Sequence, residues 1–378
     1  MATAKLSTKI SSEKKKDLLS KFKKIGTVKK QDCLEDSFIF KNRNEISTDI
    51  PILNIAFSGR VDGGYTSGIT LFAGVSKSGK SFLSLCCASA YLKKYDDAIC
   101  LFYDSEFGSN KDYFRATGID MNRVLHIPVT NIEELLFDIV QKIENIEEDD
   151  HVVIVIDSIG NLASKKEVVD ALEEKSAEDM TRAKKMKSLF RNITPNLVLK
   201  NIPLFAINHV YKTMDFIPRT IVSGGQGPVL SADTIFVITK SQEQASDKTV
   251  LGWNFTLNIE KSRKIKEKSK LVFQSMYDAG VNKYSGLLDI AVELGFVTKP
   301  KQGFYQKVNP DTGEINDEKM YREKNTNTPE FWNDILNNDS FKKAVEKKFL
   351  LVTDDINGGN TNENVDELQV DSVNNDDE

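Results

Sequence analysis

Eight residues, Gly74, Val75, Ser76, Lys77, Ser78, Gly79, Lys80 and Ser81, stand between an apolar run from Ile69 to Ala73 and a helix-patterned run from Phe82 to Tyr91. Strand, glycine-rich loop and helix in that order make a phosphate loop, because glycine lets the backbone wrap a polyphosphate while N–H groups and a helix N-terminus face its charge. In such a loop Lys80 reaches the β- and γ-phosphates and the Ser81 hydroxyl ligates Mg²⁺. A second run, Val152 to Ile156, is apolar throughout and ends at Asp157. It reads as a strand buried on both faces, with a carboxylate placed where a phosphate-loop enzyme holds its metal. The pattern predicts binding and hydrolysis of a nucleoside triphosphate.

Further strands and helices alternate along the chain. The helix Phe82–Tyr91 precedes a strand at Ala98–Tyr103, and the helix Asn131–Ile146 precedes the strand Val152–Ile156. A long helical stretch, Ala177–Leu199, is expected to break near Pro195 before the strand Ile202–Ile207, and strands near Thr234–Thr239 and Phe255–Glu260 follow. Alternation of this kind argues for an α/β fold: a mostly parallel sheet with helices on both faces and ligands at the carboxyl ends of its strands. Residues 11–25 predict a short helix with Leu18, Phe22 and Ile25 on one face, an apolar stripe that needs cover from elsewhere. The expected divisions are 1–45 (helix and linker for packing between protomers), 46–284 (core), 285–352 (a small helical lobe anchored by Trp332 and Phe341) and 353–378 (an acidic tail).

Charge is distributed unevenly. Residues 1–30 hold ten lysines against Glu13 and Asp17, while residues 353–378 hold nine carboxylates and no base. Removing those nine charges from the net −5 leaves the rest of the chain at +4. The tail's composition predicts disorder, serving solubility or acting as a polyanion that competes with nucleic acid. No apolar run approaches the ~18 residues of a membrane span, and the lysine-rich start has no secretory apolar region. Cys33, Cys86, Cys87 and Cys100 form no C-x-x-C pair, and His126, His151 and His209 give no zinc signature. A cytoplasmic location, with reduced thiols, is the expectation.

The strand Ala98–Tyr103 runs into Asp104-Ser-Glu106-Phe-Gly. A carboxylate beside a phosphate loop can orient and deprotonate an attacking water, which fits Glu106, while Asp104 suits a cap on the following turn. Two charged or irregular segments read as mobile loops. The first is Lys165 to Asp179. The second, Val210 to Ser223, mixes Tyr211, Lys212, Phe216 and Arg219 ahead of Gly224, Gly225 and Gln226. Interleaved rings and cations suit single-stranded nucleic acid, and the glycine pair suits close approach and a hinge, although an ordinary surface loop has the same composition. On the residues alone, Tyr113 reads more simply as a core aromatic of an amphipathic helix.

The phosphate loop, Tyr-Asp-Ser-Glu-Phe-Gly, Val-Ile-Asp-Ser-Ile-Gly-Asn-Leu-Ala-Ser-Lys-Lys-Glu, Met-Thr-Arg-Ala-Lys, Ala-Ile-Asn-His and Glu-Lys-Ser-Arg follow one another as they do in RecA-type recombinases. The chain resembles that family over roughly residues 45–305, and most of all its T-even phage branch. The resemblance implies a RecA-like ATPase core with ATP and Mg²⁺ held between protomers. It also implies helical filaments on single-stranded DNA, pairing with homologous duplex, a mediator and a single-strand-binding protein as partners, and work in the host cytoplasm. On it, residues 74–82 including Phe82 bind nucleotide, Tyr113 stacks on adenine, Glu106 is the catalytic glutamate and His209 senses the γ-phosphate. Lys261 and Arg263 reach the neighbour's nucleotide, and Arg191 joins Tyr211, Lys212, Phe216, Arg219, Gly224, Gly225 and Gln226 in contacting DNA. RecA has glutamine where this chain has His209, which keeps a hydrogen-bond donor and adds titration near neutral pH. A hexameric helicase motor and a non-catalytic ATP-gated coat protein are the alternatives that share the core.

Overall fold

The computed structural model describes residues 2–28, 31–37, 39, 44–108, 110–173, 181–213, 220–245, 247–277, 280–309, 312–315 and 319–351, with side chains from Lys14 onward. Its centre is a nine-stranded sheet in the order β11-β10-β9-β8-β1-β5-β4-β2-β3. The strands are β1 (Gly68–Gly74), β2 (Ile99–Asp104), β3 (Val124–Pro128), β4 (Val152–Asp157), β5 (Pro203–Asn208), β8 (Thr234–Gln244), β9 (Val250–Lys261), β10 (Lys270–Met276) and β11 (Gly280–Val281). From β8 to β3 all neighbours are parallel. From β8 to β11 they are antiparallel, so the sheet is mixed and mostly parallel.

The continuous apolar runs divide cleanly between two cores, because successive side chains leave a strand on opposite faces. Ile69 and Leu71 of β1, Ile154 and Ile156 of β4, and Leu204 and Ala206 of β5 face one core. Phe72, Val153, Val155, Phe205 and Ile207 face the other. Helix α3 (Lys80–Lys94) covers the second core, and α5 (Ile132–Asn145) with α7 (Thr181–Leu199) covers the first. Helix α2 (Pro51–Ser58), which the sequence presents only as an approach to the core, is buried along its whole length.

Helix α7 is not broken at Pro195; it runs through it. Proline removes one backbone bond and costs ~3 kcal/mol. Met186, Leu189, Phe190, Ile193 and Leu197 are all buried on this helix, and at roughly 1.5–3 kcal/mol each their packing outweighs the loss. Between α5 and α7, the segment expected to be a loop forms helix α6 (Lys165–Leu172), started by a capping box of Ser164 and Glu167. Residues 174–180 lie outside the described part.

The expected short N-terminal helix is longer, α1 spanning Ala2–Ile25, and Leu18, Phe22 and Ile25 are all exposed on it. The C-terminal lobe holds α9 (Leu287–Glu293), α10 (Pro329–Asn337) and α11 (Asp339–Phe349) around buried Trp332 and Phe341. Unlike the expectation, it also contains a three-stranded antiparallel sheet: β12 (Val297–Lys301), β13 (Phe304–Lys307) and β14 (Tyr321–Arg322). The acidic tail lies outside the described residues. Among the described residues no helix is long and apolar enough to cross a membrane.

Candidate nucleotide and nucleic-acid site

Strand register assembles the site. Adjacent strands β1, β5, β4 and β2 end at the same level, since Ala73 pairs with Asn208 and Asp104 with Asp157. The loop after β1, the Asn208–His209 pair, Asp157 and the turn carrying Glu106 therefore share one edge of the sheet. The phosphate loop owes its shape to Lys77 at φ 58° and Gly79 at φ 82°, the region glycine enters freely. At Gly74 a side chain would meet the Ile238 carbonyl oxygen at 2.7 Å, so only glycine fits there.

Lys80 is buried and donates to the Val75 carbonyl oxygen at 2.8 Å. Burial lowers its pKa, and the nearby Glu106 and Asp157 carboxylates oppose that shift. Asp157 is also buried and hydrogen-bonded by Ser81; burial, with Glu106 and Asp104 nearby, pushes its pKa up to about 6. Its Oδ1 has no hydrogen-bond partner. An orphaned, ionisable oxygen beside a serine hydroxyl fits a divalent cation shared with phosphate, which supplies the remaining ligands. Among the described residues there is no cluster of three or more His, Cys, Asp or Glu side chains that would hold a metal alone.

A cleft opens from the loop, with Ser76, Lys77, Ser81, Glu106 and Asp157 on its polar side and Phe82, Tyr113, Phe255, Phe273 and Ser275 on the other. Tyr113 belongs to α4 (Lys111–Ala116), lies edge-on to Phe82 with ring centroids 6.5 Å apart, and is half-buried in the cleft wall. Phe255 and Phe273 stack on each other at 4.9 Å across the β9–β10 pair. They are the aromatic residues that sequence reasoning missed, since core strands and cleft walls share one composition.

Glu106 follows β2 on a turn capped by Asp104, whose Oδ1 accepts from the N–H groups of Glu106 and Phe107. Its Oε1 lies 2.9 Å from His209 Nε2 and 3.3 Å from Asn161 Nδ2. Asn208, fully buried, donates to the Ser223 carbonyl oxygen at 2.6 Å and accepts from the His209 N–H. His209 thereby joins the nucleotide edge to the loop beyond it. That loop is a hairpin at its base, β6 (Val210–Lys212) against β7 (Thr220–Val222), where the sequence suggested no strand period. Tyr211 and Lys212 are exposed, whereas Phe216 and Arg219 lie outside the described residues. Gly224 and Gly225 adopt positive φ, and Gln226 begins α8 (Gln226–Ser231). Arg191 is exposed on α7. Arg182, at the start of α7, donates to the carbonyl oxygens of Leu162 and Gly160 at 2.7 and 2.6 Å and ties that helix to the segment after β4.

Lys261 and Arg263 are not brought to this edge. Lys261 pairs with Ile235, which pairs with Leu71, and its amine donates to the Val229 and Leu230 carbonyl oxygens. Arg263 forms an ion pair with Asp233, whose other oxygen accepts from the Ile69 N–H. Ile69 is five steps from Gly74 along β1, about 16 Å at ~3.3 Å per residue, and Leu71, level with Lys261, is three steps, about 10 Å. A second basic group does stand at the loop: Lys240 donates to the Lys77 carbonyl oxygen at 3.0 Å and lies 4.6 Å from the Trp253 ring.

Two family models match the chain. Residues 39–282 match the family model for the RecA N-terminal domain, and residues 284–345 match that for the C-terminal domain of the bacteriophage T4 recombination and repair protein. The chain is 48% identical over 345 residues to the "Recombination and repair protein" of Enterobacteria phage T4, covering 90% of this chain and 88% of that one. It is 26% identical to "Protein RecA" of Mycoplasma mycoides subsp. mycoides SC over 63% of this chain and 68% of that one. With "Protein RecA" of Cytophaga hutchinsonii the figures are 24%, 70% and 75%.

Proposed function

The chain belongs to the RecA family, and from that premise we propose that it is an ATP- and Mg²⁺-dependent recombinase. In this reading it forms a helical filament on single-stranded DNA and pairs that strand with homologous duplex for recombination and repair. The observation that carries the reading is the division of charge along the sheet: Lys80, Asp157, Glu106 and His209 at one end of the strands, with Lys261 and Arg263 about 10 and 16 Å back along them. One copy holds a triphosphate without completing its own site; two copies stacked end to end complete it.

In that arrangement Ser81 and Asp157 would hold a Mg²⁺, which would supply charge to screen the triphosphate. Lys80 neutralises the γ-phosphate from inside the loop, and Tyr113 and Phe82 flank the base. Glu106 accepts the proton of the attacking water at its carboxylate. Lys261 and Arg263 of a neighbouring copy meet the charge developing on the transferred phosphoryl group, as a cation supplied across an interface does. His209 passes occupancy to the segment 210–226, whose Tyr211, Lys212, Phe216, Arg219, Gly224, Gly225 and Gln226 are the residues assigned to the strand. Arg191 contributes from α7. Residues 1–45 serve packing between protomers, 46–284 the catalytic core and 285–352 the lobe, and the host cytoplasm is the place of action. A mediator and a single-strand-binding protein are the partners this activity calls for.

Lys80→Ala tests the reading. The wild-type chain is expected to hydrolyse ATP faster with single-stranded DNA, to form open filaments in electron micrographs and to exchange strands, with all three lost in the variant. Closed rings, or filaments that form on DNA regardless of nucleotide, would point to the helicase motor or the coat protein instead.

A further inference from the structure

The chain has three histidines, and each is bonded to a carboxylate: His209 to Glu106, His151 to Asp97 and His126 to Asp104. The last pair joins the turn that carries Glu106 to the edge strand of the sheet, with the Asp104 carboxylate buried and the His126 side chain 54% exposed. Asp104 ends β2 and is 4% exposed. Its Oδ1 receives the N–H groups of Glu106 and Phe107 at 3.1 and 2.8 Å, and its Oδ2 lies 3.0 Å from Nε2 of His126 on β3. The β2–β3 register pairs His126 with Phe102, whose ring lies 5.9 Å from the imidazole. Strand pairing, ring packing and the bond to Asp104 thus act on one imidazole.

We infer that His126 is a positioning residue for hydrolysis: through Asp104 it fixes the turn that aims Glu106 at the attacking water. The inference rests on the reading of Glu106 as the base. Asp104 alone can cap the turn, but a buried carboxylate with one oxygen unpaired can rotate about its Cβ–Cγ bond and carry the cap with it. His126 closes the second oxygen and leaves one orientation. The turn needs that restraint, because Phe107 holds φ 53°, a left-handed conformation costly for a residue with a side chain. A carboxylate must stand within hydrogen-bond reach of the proton it takes, and a displacement of about 1 Å at a reacting group lowers turnover by as much as ~10²-fold. His126 itself touches neither Glu106 nor the cleft wall, so its removal should act on turnover rather than on nucleotide binding.

The test uses the full-length chain with ATP, Mg²⁺ and single-stranded DNA. His126→Phe keeps a ring against Phe102 and removes the donor, whereas His126→Gln keeps a donor. His126→Phe is expected to lower kcat about tenfold or more while KM for ATP and the affinity for nucleotide stay within about twofold, and His126→Gln to recover most of the loss. In a Glu106→Gln background, His126→Phe is expected to change turnover no further, because the group it positions is already gone. Wild-type kcat in His126→Phe, or the same proportional loss with and without Glu106, overturns the inference. Full turnover in Glu106→Gln alone overturns the reading of Glu106, and this inference with it; a slow Glu106→Gln beside an unimpaired His126→Phe sinks the inference only.

Discussion

Nε2 of His209 lies 2.9 Å from Oε1 of Glu106, so the residue at the base of the β6–β7 hairpin holds the carboxylate proposed to activate water. Glu106→Gln is expected to slow hydrolysis by roughly 10²–10⁴-fold while nucleotide binding and filament assembly persist. His209→Ala is expected to lower the ratio of DNA-stimulated to DNA-free hydrolysis, since the contact joining hairpin and base is lost. Steady-state ATPase measurements with and without single-stranded DNA check both.

Asp157 gives a pH dependence with a defined sign. Its carboxyl is pushed up to about 6, against an ordinary 3.8, by burial. The folded chain therefore binds more protons than the unfolded one between about pH 4 and 6, and without metal this group makes the fold less stable as pH rises through that window. Metal binding needs the ionised form. The thermal shift produced by Mg²⁺ and ATP is accordingly expected to be full at pH 7.5 and to shrink as pH falls below about 6. An equal shift at pH 5 would remove Asp157 from the metal site.

Lys240 and Trp253 supply an optical reporter. Of the two tryptophans, Trp332 is buried in the C-terminal lobe, while the Trp253 ring lies against the Lys240 amine that donates to the Lys77 carbonyl oxygen of the phosphate loop. Nucleotide binding is expected to change Trp253 emission, and the change should vanish in Trp253→Phe. Lys240→Met should weaken nucleotide affinity about fivefold, the equivalent of one net hydrogen bond of ~1 kcal/mol.

For the hairpin, Lys212→Ala is expected to reduce the slope of log affinity for single-stranded DNA against log salt by about 0.7, the value of one phosphate contact. Binding titrations at four or five salt concentrations measure it. An unchanged slope would take Lys212 off the phosphates.

Much of this was legible in the residues. Glycine spacing, the all-apolar runs and terminal carboxylates exposed the phosphate loop, Asp157 and Glu106, because each of those signals is local. What stayed hidden depends on partners far apart in sequence. The antiparallel edge of the sheet shows only in β9, where Trp253, Phe255, Leu257 and Ile259 alternate with Asn254, Thr256, Asn258 and Glu260 as in a strand with one polar face; the apolar start of β8 reads like its parallel neighbours. Pro195 misled because its cost is local and the packing that outweighs it is not. The 210–223 hairpin has arms of three residues, too short for a period, and Lys240 or Phe255 becomes a cleft residue only through strand register. His126 shows nothing in one dimension; its bond to Asp104 spans twenty-two positions.

The placement of Lys261 and Arg263 back along the strands also sets an arithmetic. In the proposed filament, a row of n stacked copies would have n − 1 completed pockets and one terminal copy whose triphosphate waits without its cations. Short rows should burn less fuel per molecule than long ones, and the two termini of any row cannot be chemically alike, which gives growth and shrinkage a direction.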